Sequence, residues 1–465
     1  MIREELYIEG KRVDLSTEPI TLQYRSNLLG DIDSITSSNS LTIRLPKTPN
    51  NNDIMQFADT LIINSTYQRQ WYNAIYYRNG VQMIKGRASL LSVDKEGYDV
   101  CLAWGIFEKL ESWLNSNMTL RDLPLDAYTS IVAYSNSLFP RPKPSRVGYI
   151  RYDNGLGLVE GTLSWIFPFV NVAWVWNDIM VDNGIYDMLS VVPDDEQLLQ
   201  DYFLSFNDDL VKETYIDGAI HSFPVSQYIP AIGQVEFFKS ICHMFGWYLE
   251  VGGDGDLMLT TFENFSDRTR ALDWSDKLVT DGNIPESVEF NYNDYARNNW
   301  MRYKKDENAL RDVNAPSRVD ADGAIFVLDG TLEENKDLFT LPFAATDGNY
   351  IRQYQRSVNE RGETETDFIR TEPRIISINP NSPVVELYFT EDMKFSSIIP
   401  NRYAYYQEVM YNPVVISVKL RLTEFDLRDL DFTRPVYFSR YGAYFAIIEI
   451  NTSGEFSEAK LLKLV

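Results

Sequence analysis

Gln234-Val235-Glu236-Phe237-Phe238-Lys239-Ser240-Ile241-Cys242-His243-Met244-Phe245 is followed by Gly246 and then by Trp247-Tyr248-Leu249-Glu250-Val251. Gly252-Gly253-Asp254-Gly255-Asp256 comes next, and Leu257-Met258-Leu259-Thr260-Thr261-Phe262 closes the stretch. Val235, Phe238, Cys242 and Phe245 recur at spacings of three and four, which makes one apolar stripe on a helix. Gly246 fits the left-handed residue that ends a helix. The glycine-rich run between two apolar segments predicts a hairpin. The order is therefore helix, glycine, strand, turn, strand. On the stripe, His243 falls on the polar side and is expected at the surface.

Outward from this unit the pattern is mostly β. Tyr72–Arg78, Asn79-Gly80 and Val81–Val93 predict a hairpin, because Asn-Gly favours the tight two-residue turn. Gly86 is expected to kink or bulge the long strand. Tyr98–Trp104 returns as a third strand, and Phe107, Leu110 and Leu114 mark a short helix after it. Upstream, Leu6-Tyr7-Ile8, Glu9-Gly10 and Lys11–Leu15 predict another hairpin, and Ile20–Arg25 a strand. Leu41–Leu45 alternates apolar and polar. Pro46 and Pro49 end it, and Asn50–Asp53 is expected to cap a helix from Ile54. Residues 116–230 are less regular, with Pro140, Pro142 and Pro144 extended among basic residues. Ser287–Lys304, Ala324–Leu328, Val384–Thr390, Val414–Glu424, Pro435–Ser439, Ala443–Ile450 and Ala459–Val465 read as strands. No element is assigned between Thr390 and Val414. Glu360–Glu363 reads as an exposed loop tip.

The expected fold class is mainly β with α+β parts. It has two small β-barrel-like domains, 1–115 and 286–465, an insertion or second domain at 116–230, and a helix-hairpin α+β unit at 231–285. For a chain of 465 residues this division is ordinary.

Composition narrows the function. The formal net charge is −24, and no run of five basic residues exists, which argues against phosphate-backbone binding. Only two histidines, His221 and His243, are available, so His-rich zinc sites and His-paired dyads lack material. Cys101 and Cys242 make neither a disulfide framework nor a metal-binding pair of close cysteines. The N-terminus lacks the apolar core of a signal peptide, so assembly in a cytoplasm is expected. Trp165–Trp176, the longest apolar stretch, is shorter than the ~20 residues of a membrane span. Aromatic residues make up 14% of the chain, with Tyr the most frequent. Tyrosine suits assembly interfaces, and sugar-binding modules share the bias.

Phosphate-binding loops, nucleophile elbows and zinc-protease motifs are missing. Gly253–Asp256 lacks the remaining oxygen ligands of a calcium loop. Cys242 and His243, adjacent on a helix, point about 100° apart. A glycosidase would need two carboxyls ~5–10 Å apart. The candidates near aromatic residues are Asp194, Asp195, Glu196, Asp208 and Asp209, and Glu391 with Asp392. Solvated helix starts and turns explain them as well. No catalytic, cofactor-binding or metal-binding residue is assigned, and an enzyme is not expected.

Two segments carry a resemblance. One is Asn79-Gly80, Lys85-Gly86, Tyr98-Asp99-Val100 and the helix with Phe107 and Leu110. The other is Phe237–Ile241, Gly246–Val251 and Asp256–Leu259. Together they resemble the baseplate hub family of long-tailed bacteriophages, the N-terminal regions of tail-associated proteins. Asp431–Tyr437 with Tyr444–Ile450 resembles the closing part of that pattern. Arg44-Leu45-Pro46-Lys47-Thr48-Pro49-Asn50 is similar to a segment of prophage tail proteins of gut bacteria. The resemblance implies a structural role and a homotrimer. Its ring would dock on the tail tube or distal tail protein and carry a spike or receptor-binding fibre. Genomic DNA would pass through without specific binding, and any wall-degrading activity would belong to another chain. The expected place is the virion tail. The alternative is a carbohydrate-binding or adhesion protein of β-sandwich domains.

Overall fold

Tyr72–Arg78, Val81–Val93 and Gly97–Trp104 form an antiparallel meander, turned at Asn79 and Gly80 with φ of 51° and 82°. The computed structural model describes residues 3–27, 29, 35, 38–60, 70–125, 132–133, 147–152, 165–205, 225–253, 255–279, 285–291, 295–305, 321–345, 353–358, 361–362, 364–369, 372–378 and 387–465. The bulges of the meander lie at Tyr76/Tyr77 and Leu90/Ser92, whereas Gly86 stays in register opposite Ala74. Gly86 is needed for a different reason. A Cβ there would collide with the carbonyl oxygen of Ala103 on the neighbouring strand.

From the meander the sheet continues in both chain directions. Gly97–Trp104 pairs with Ser38–Ser40, which pairs with Leu22–Arg25. Leu22–Arg25 then pairs with Ala443–Ser453, matching Arg25 to Glu449 and Leu22 to Thr452. Phe456–Lys463, Val415–Leu420 and, at the far end, Leu278–Val279 and Ser287–Glu289 follow. Fifteen of the described strands belong to this one sheet. The mainly β class with α+β parts is as expected and its sheets are largely antiparallel, but neither expected barrel closes among the described residues. The reason is the double pairing of Leu22–Arg25, which makes the two ends of the chain halves of one sheet. They share a core that joins Leu6, Leu22, Tyr76 and Val100 to Ile416, Phe438, Ile447 and Leu461.

Buried Arg78 ties these halves. Its guanidinium donates to Thr452 Oγ1, the Ile20 carbonyl and Tyr76 Oη, each at 3.2 Å, and Glu4 lies 3.7 Å away. The N-terminal hairpin is present as Glu4–Ile8 and Lys11–Arg12. The first helix is Pro49–Ile54, a turn earlier than expected. Thr48 caps it by accepting from Asn51 N at 3.1 Å, and Pro49 takes the first helical position, where no backbone N–H is needed.

A second core is centred on the helix Gln234–Phe245. This helix packs between Val172–Asp182 and Phe395–Arg402 and against the strand Asn335–Ala344. Tyr248–Val251 and Leu257–Thr260 form the predicted hairpin, joined by Leu189–Val191. Asn298–Lys304 pairs with Gly323–Phe326 and Asn335–Ala344. A further sheet runs from Val132–Ala133 through Val147–Tyr152, Trp165–Asn171, Tyr202–Ser205 and Ile375–Ile378 to Leu387–Tyr388. The apolar stretch from Trp165 divides at Asn171, whose side chain accepts from Ala173 N at 3.0 Å and starts a helix. After Gly97–Trp104, the helix Ile106–Leu114 buries Ile106, Leu110 and Trp113, a stripe rotated from the expected one. Arg361 and Gly362 are exposed, while Glu360 and Glu363, like Pro140, Pro142 and Pro144, lie outside the described residues.

Candidate functional site

The central helix leaves only Glu236 exposed. Phe238, Cys242 and Phe245 are buried as expected and Val235 is half-buried, but Phe237, Ser240, Ile241, His243 and Met244 on the other sides are buried too. His243 is thus a correction: it is a core residue. Its ring stacks on Phe339 at 3.9 Å and 7° between planes, and its carbonyl accepts from Tyr403 Oη at 2.7 Å. The second layer of helices and the sheet of Phe339 cover the side that the stripe left open. Gly246 ends the helix with φ 66°. Arg402 packs 3.1 Å from the place a Cβ would take, which reinforces the need for glycine.

Around Phe238 lies an aromatic cluster. Trp176 stacks on it at 5.0 Å, and Trp113 meets it edge-on at 5.3 Å. Two of the candidate carboxylates, Asp195 and Glu196, are polar fasteners of this cluster. Glu196 accepts from Trp176 Nε1 at 2.7 Å and from Tyr186 Oη at 2.8 Å. Burial, reinforced by the Glu196 hydrogen bond, holds the Tyr186 hydroxyl well above its ordinary pKa. Asp195 accepts from Trp247 Nε1 at 3.0 Å and pairs with Arg402. Asp194 is exposed. Glu391 and Asp392 sit exposed in a short 3-10 turn, where Glu391 pairs with Lys394. Asp208 and Asp209 lie outside the described residues, as do His221 and Asp254.

The glycine-rich run is a hairpin turn, closed by Gly252 N donating to the Asp256 carbonyl at 2.9 Å. Asp256 pairs with Lys109 at 3.2 Å, which ties the hairpin to the helix Ile106–Leu114. Burial pushes the Cys242 thiol far above its usual range and raises that of half-buried Cys101. Among the described residues, no three His, Cys, Asp or Glu side chains are placed to hold a metal ion.

A cleft of about 350 Å³ lies where the meander, the hairpin and the C-terminal segment meet. Lys85, Trp104, Lys109, Glu250, Arg428 and Phe432 are among its walls. Glu250 is 1% exposed and accepts from Ser26 Oγ at 3.0 Å and Asn27 N at 2.9 Å. Asn27 Nδ2 donates to the Leu249 carbonyl at 2.7 Å. The buried carboxylate therefore staples the hairpin to the N-terminal strands. Arg25 on the rim pairs with Glu449 at 3.1 Å. A second groove of about 480 Å³ is almost wholly apolar, with Phe326, Ile399, Pro400 and Tyr411 in its wall. At its edge the Gln407 amide accepts from Phe326 N at 2.9 Å and donates to the Phe326 carbonyl at 3.0 Å, replacing a neighbouring strand.

No protein-family model matches the chain, and no curated protein matches it. Two solved structures align along almost its whole length. The 43 kDa tail protein of prophage MuSo2 from Shewanella oneidensis is 10% identical with a TM-score of 0.38, covering 99% of this chain and 98% of that one. The tail protein from Neisseria meningitidis MC58 is 10% identical with a TM-score of 0.37, covering 100% of this chain and 96% of that one.

Among the described residues, no helix is long and apolar enough to cross a membrane. Several of the polar groups with legible chemistry join segments distant in sequence. Glu250 and Asp195 each fasten such a junction, while Glu196 holds the nearer Trp176 and Tyr186. Sequence reasoning marked Asp195 and Glu196 through their aromatic neighbours but missed Glu250. The signal was available: an acid between Leu249 and Val251 in an apolar strand needs a buried partner.

Proposed function

We propose that this chain is a structural protein of a bacteriophage tail, and within it the baseplate hub joining the tail tube to the distal tip or receptor-binding apparatus. On this reading it assembles as a homotrimer in the host cytoplasm, has no enzymatic activity, and forms part of the conduit that genomic DNA crosses. The observation that carries the reading is the unit from Gln234 to Thr260: helix, left-handed glycine, strand, turn, strand. That unit is one of the two segments on which the sequence resemblance rests. Three chains, each of formal charge −24, would repel phosphate, so the conduit would not retain DNA.

The test is localisation. Antibodies against the chain should label the distal end of the tail on purified virions. Absence from the tail overturns the whole reading, and labelling along the tube overturns the hub assignment. Purified protein should release no products from peptidoglycan or common polysaccharides, and turnover would overturn the non-enzymatic part. Retention on duplex DNA at low salt, or a ring whose lumen is lined mainly by Lys and Arg, would overturn the conduit.

A further inference from the structure

Both residues of the meander turn Asn79-Gly80 are exposed, and open space surrounds the place a Gly80 Cβ would take. An asparagine side chain before glycine is open to attack by the backbone, because glycine has no Cβ to shield the attacking nitrogen. In this turn the side chain is engaged at both ends. Asn79 Oδ1 accepts from Arg3 N at 3.0 Å, and Nδ2 donates to Glu424 Oε1 at 2.6 Å, 345 residues away in the chain. Asn79 N also donates to the Arg3 carbonyl at 2.8 Å. Glu424 opens the helix Glu424–Arg428, which packs on the long strand Val81–Val93. A capping box of Thr423 and Asp426 starts that helix, Leu427 is buried in the strand-built core, and Arg428 lines the cleft beside Lys85. Lys277 neutralises Asp426 at 2.7 Å, whereas Glu424 is held by the neutral Asn79 amide.

We propose that Asn79 is a site of spontaneous deamidation, held back while Glu424 grips its amide, and that the reaction turns this grip into a repulsion that releases the helix Glu424–Arg428. In the first step the Gly80 nitrogen attacks Asn79 Cγ. The N–Cγ bond forms, the Cγ–Nδ2 bond breaks, and Nδ2 leaves as ammonia with the Gly80 proton. Water then opens the cyclic imide at either carbonyl and gives aspartate or isoaspartate, with release of a proton. Attack requires the amide carbon to swing over the Gly80 nitrogen. With Oδ1 and Nδ2 both held, that swing is blocked and the folded turn reacts slowly. The product reverses the contact, because an aspartate has no N–H to donate to Glu424. Two carboxylates about 4 Å apart in water repel enough to shift an equilibrium about fivefold. An aspartate still accepts from Arg3 N, so the loss falls on the helix. An isoaspartate also carries the backbone through the side-chain methylene and lengthens the two-residue turn. Either product loosens one wall of the cleft, and the change is one-way.

The experiment incubates the full chain at mildly alkaline pH and follows the turn by peptide mass spectrometry, which reads the exchange of an amide NH2 for OH and separates the isoaspartyl peptide. Modification is expected at Asn79. It should run about threefold or more faster in Glu424→Ala, where the amide loses a hydrogen bond. Glu424→Gln keeps an acceptor for Nδ2 and should react like the wild type. Asn79→Asp supplies the product directly and should raise hydrogen exchange in residues 424–428 about fivefold. Adding Glu424→Gln to that chain should reverse the rise, since its amide can donate to the new carboxylate. An Asn79 that stays intact in both the wild type and Glu424→Ala overturns the site. An equal or slower rate in Glu424→Ala, or an equal acceleration in Glu424→Gln, overturns the grip. Unchanged exchange in Asn79→Asp, or a rise that Glu424→Gln does not reverse, overturns the release.

Discussion

In the strand-built core, each strand divides its residues between two faces. Leu22 and Tyr24 point inward, Gln23 and Arg25 do not, and the alternation in sequence matches the burial. In the helix-centred core, Gln234–Phe245 makes no such division. Helices and a strand surround it, so polar Ser240 and Gln234 are buried with Phe237 and Phe238. A sheet at the surface of a core has an inside and an outside. A helix enclosed on most sides exposes little beyond Glu236, and its buried polar residues must find partners inside: Ser240 Oγ donates to the Glu236 carbonyl at 2.7 Å, and Gln234 Nε2 to the Thr119 carbonyl at 3.2 Å.

The contrast can be broken most decisively at Phe238. Phe238→Ala removes the ring held between Trp176 and Trp113, and urea unfolding should show a loss of about 3–5 kcal/mol. A loss below ~1 kcal/mol would mean the aromatic cluster is not a tightly packed core. Next comes His243, the residue on which the two accounts of the helix differ. His243→Ala should cost about 1.5–3 kcal/mol because a buried, stacked ring is lost. A cost under ~0.5 kcal/mol, typical of a surface site, would restore the one-stripe helix.

On the strand side, Gly86→Ala tests close approach rather than periodicity. Forcing a methyl group against the Ala103 carbonyl should destabilise by about 1–3 kcal/mol, read as a fall in the urea midpoint at constant slope. If alanine there is neutral, the meander is looser than its register implies. The smallest effect is expected at Asp392, exposed in its 3-10 turn. Asp392→Ala should change stability by no more than ~0.5 kcal/mol. A larger loss would give that carboxylate a role that its exposed position does not provide.

Particular residues show where sequence was informative. Asn79-Gly80 marked its turn because two successive positive φ values suit few other pairs. Gly246 marked a helix end for the same backbone reason. The helices Phe395–Arg402 and Ala404–Tyr411 escaped notice, since Pro400 interrupts the first and both carry weak apolar asymmetry. Gly86 was legible as special but for the wrong cause, because the approach of Ala103 comes from a strand more than a dozen residues away. Of the polar fasteners, Asp195 and Glu196 stood out only as acids near aromatic rings. Their partners Trp247, Arg402, Trp176 and Tyr186 come from other elements, and Glu250 drew no notice.

The sequence by itself determined the meander, the helix-hairpin unit and the C-terminal strands, because turns, caps and alternation are properties of neighbouring residues. The tertiary structure alone decided that Leu22–Arg25 joins both ends of the chain in one sheet, since strand partners hundreds of residues apart leave no local trace. It also decided that His243 lies in the core. A hydrophobic stripe reports the first neighbour a helix packs against, while burial of the remaining faces depends on how many others close around it.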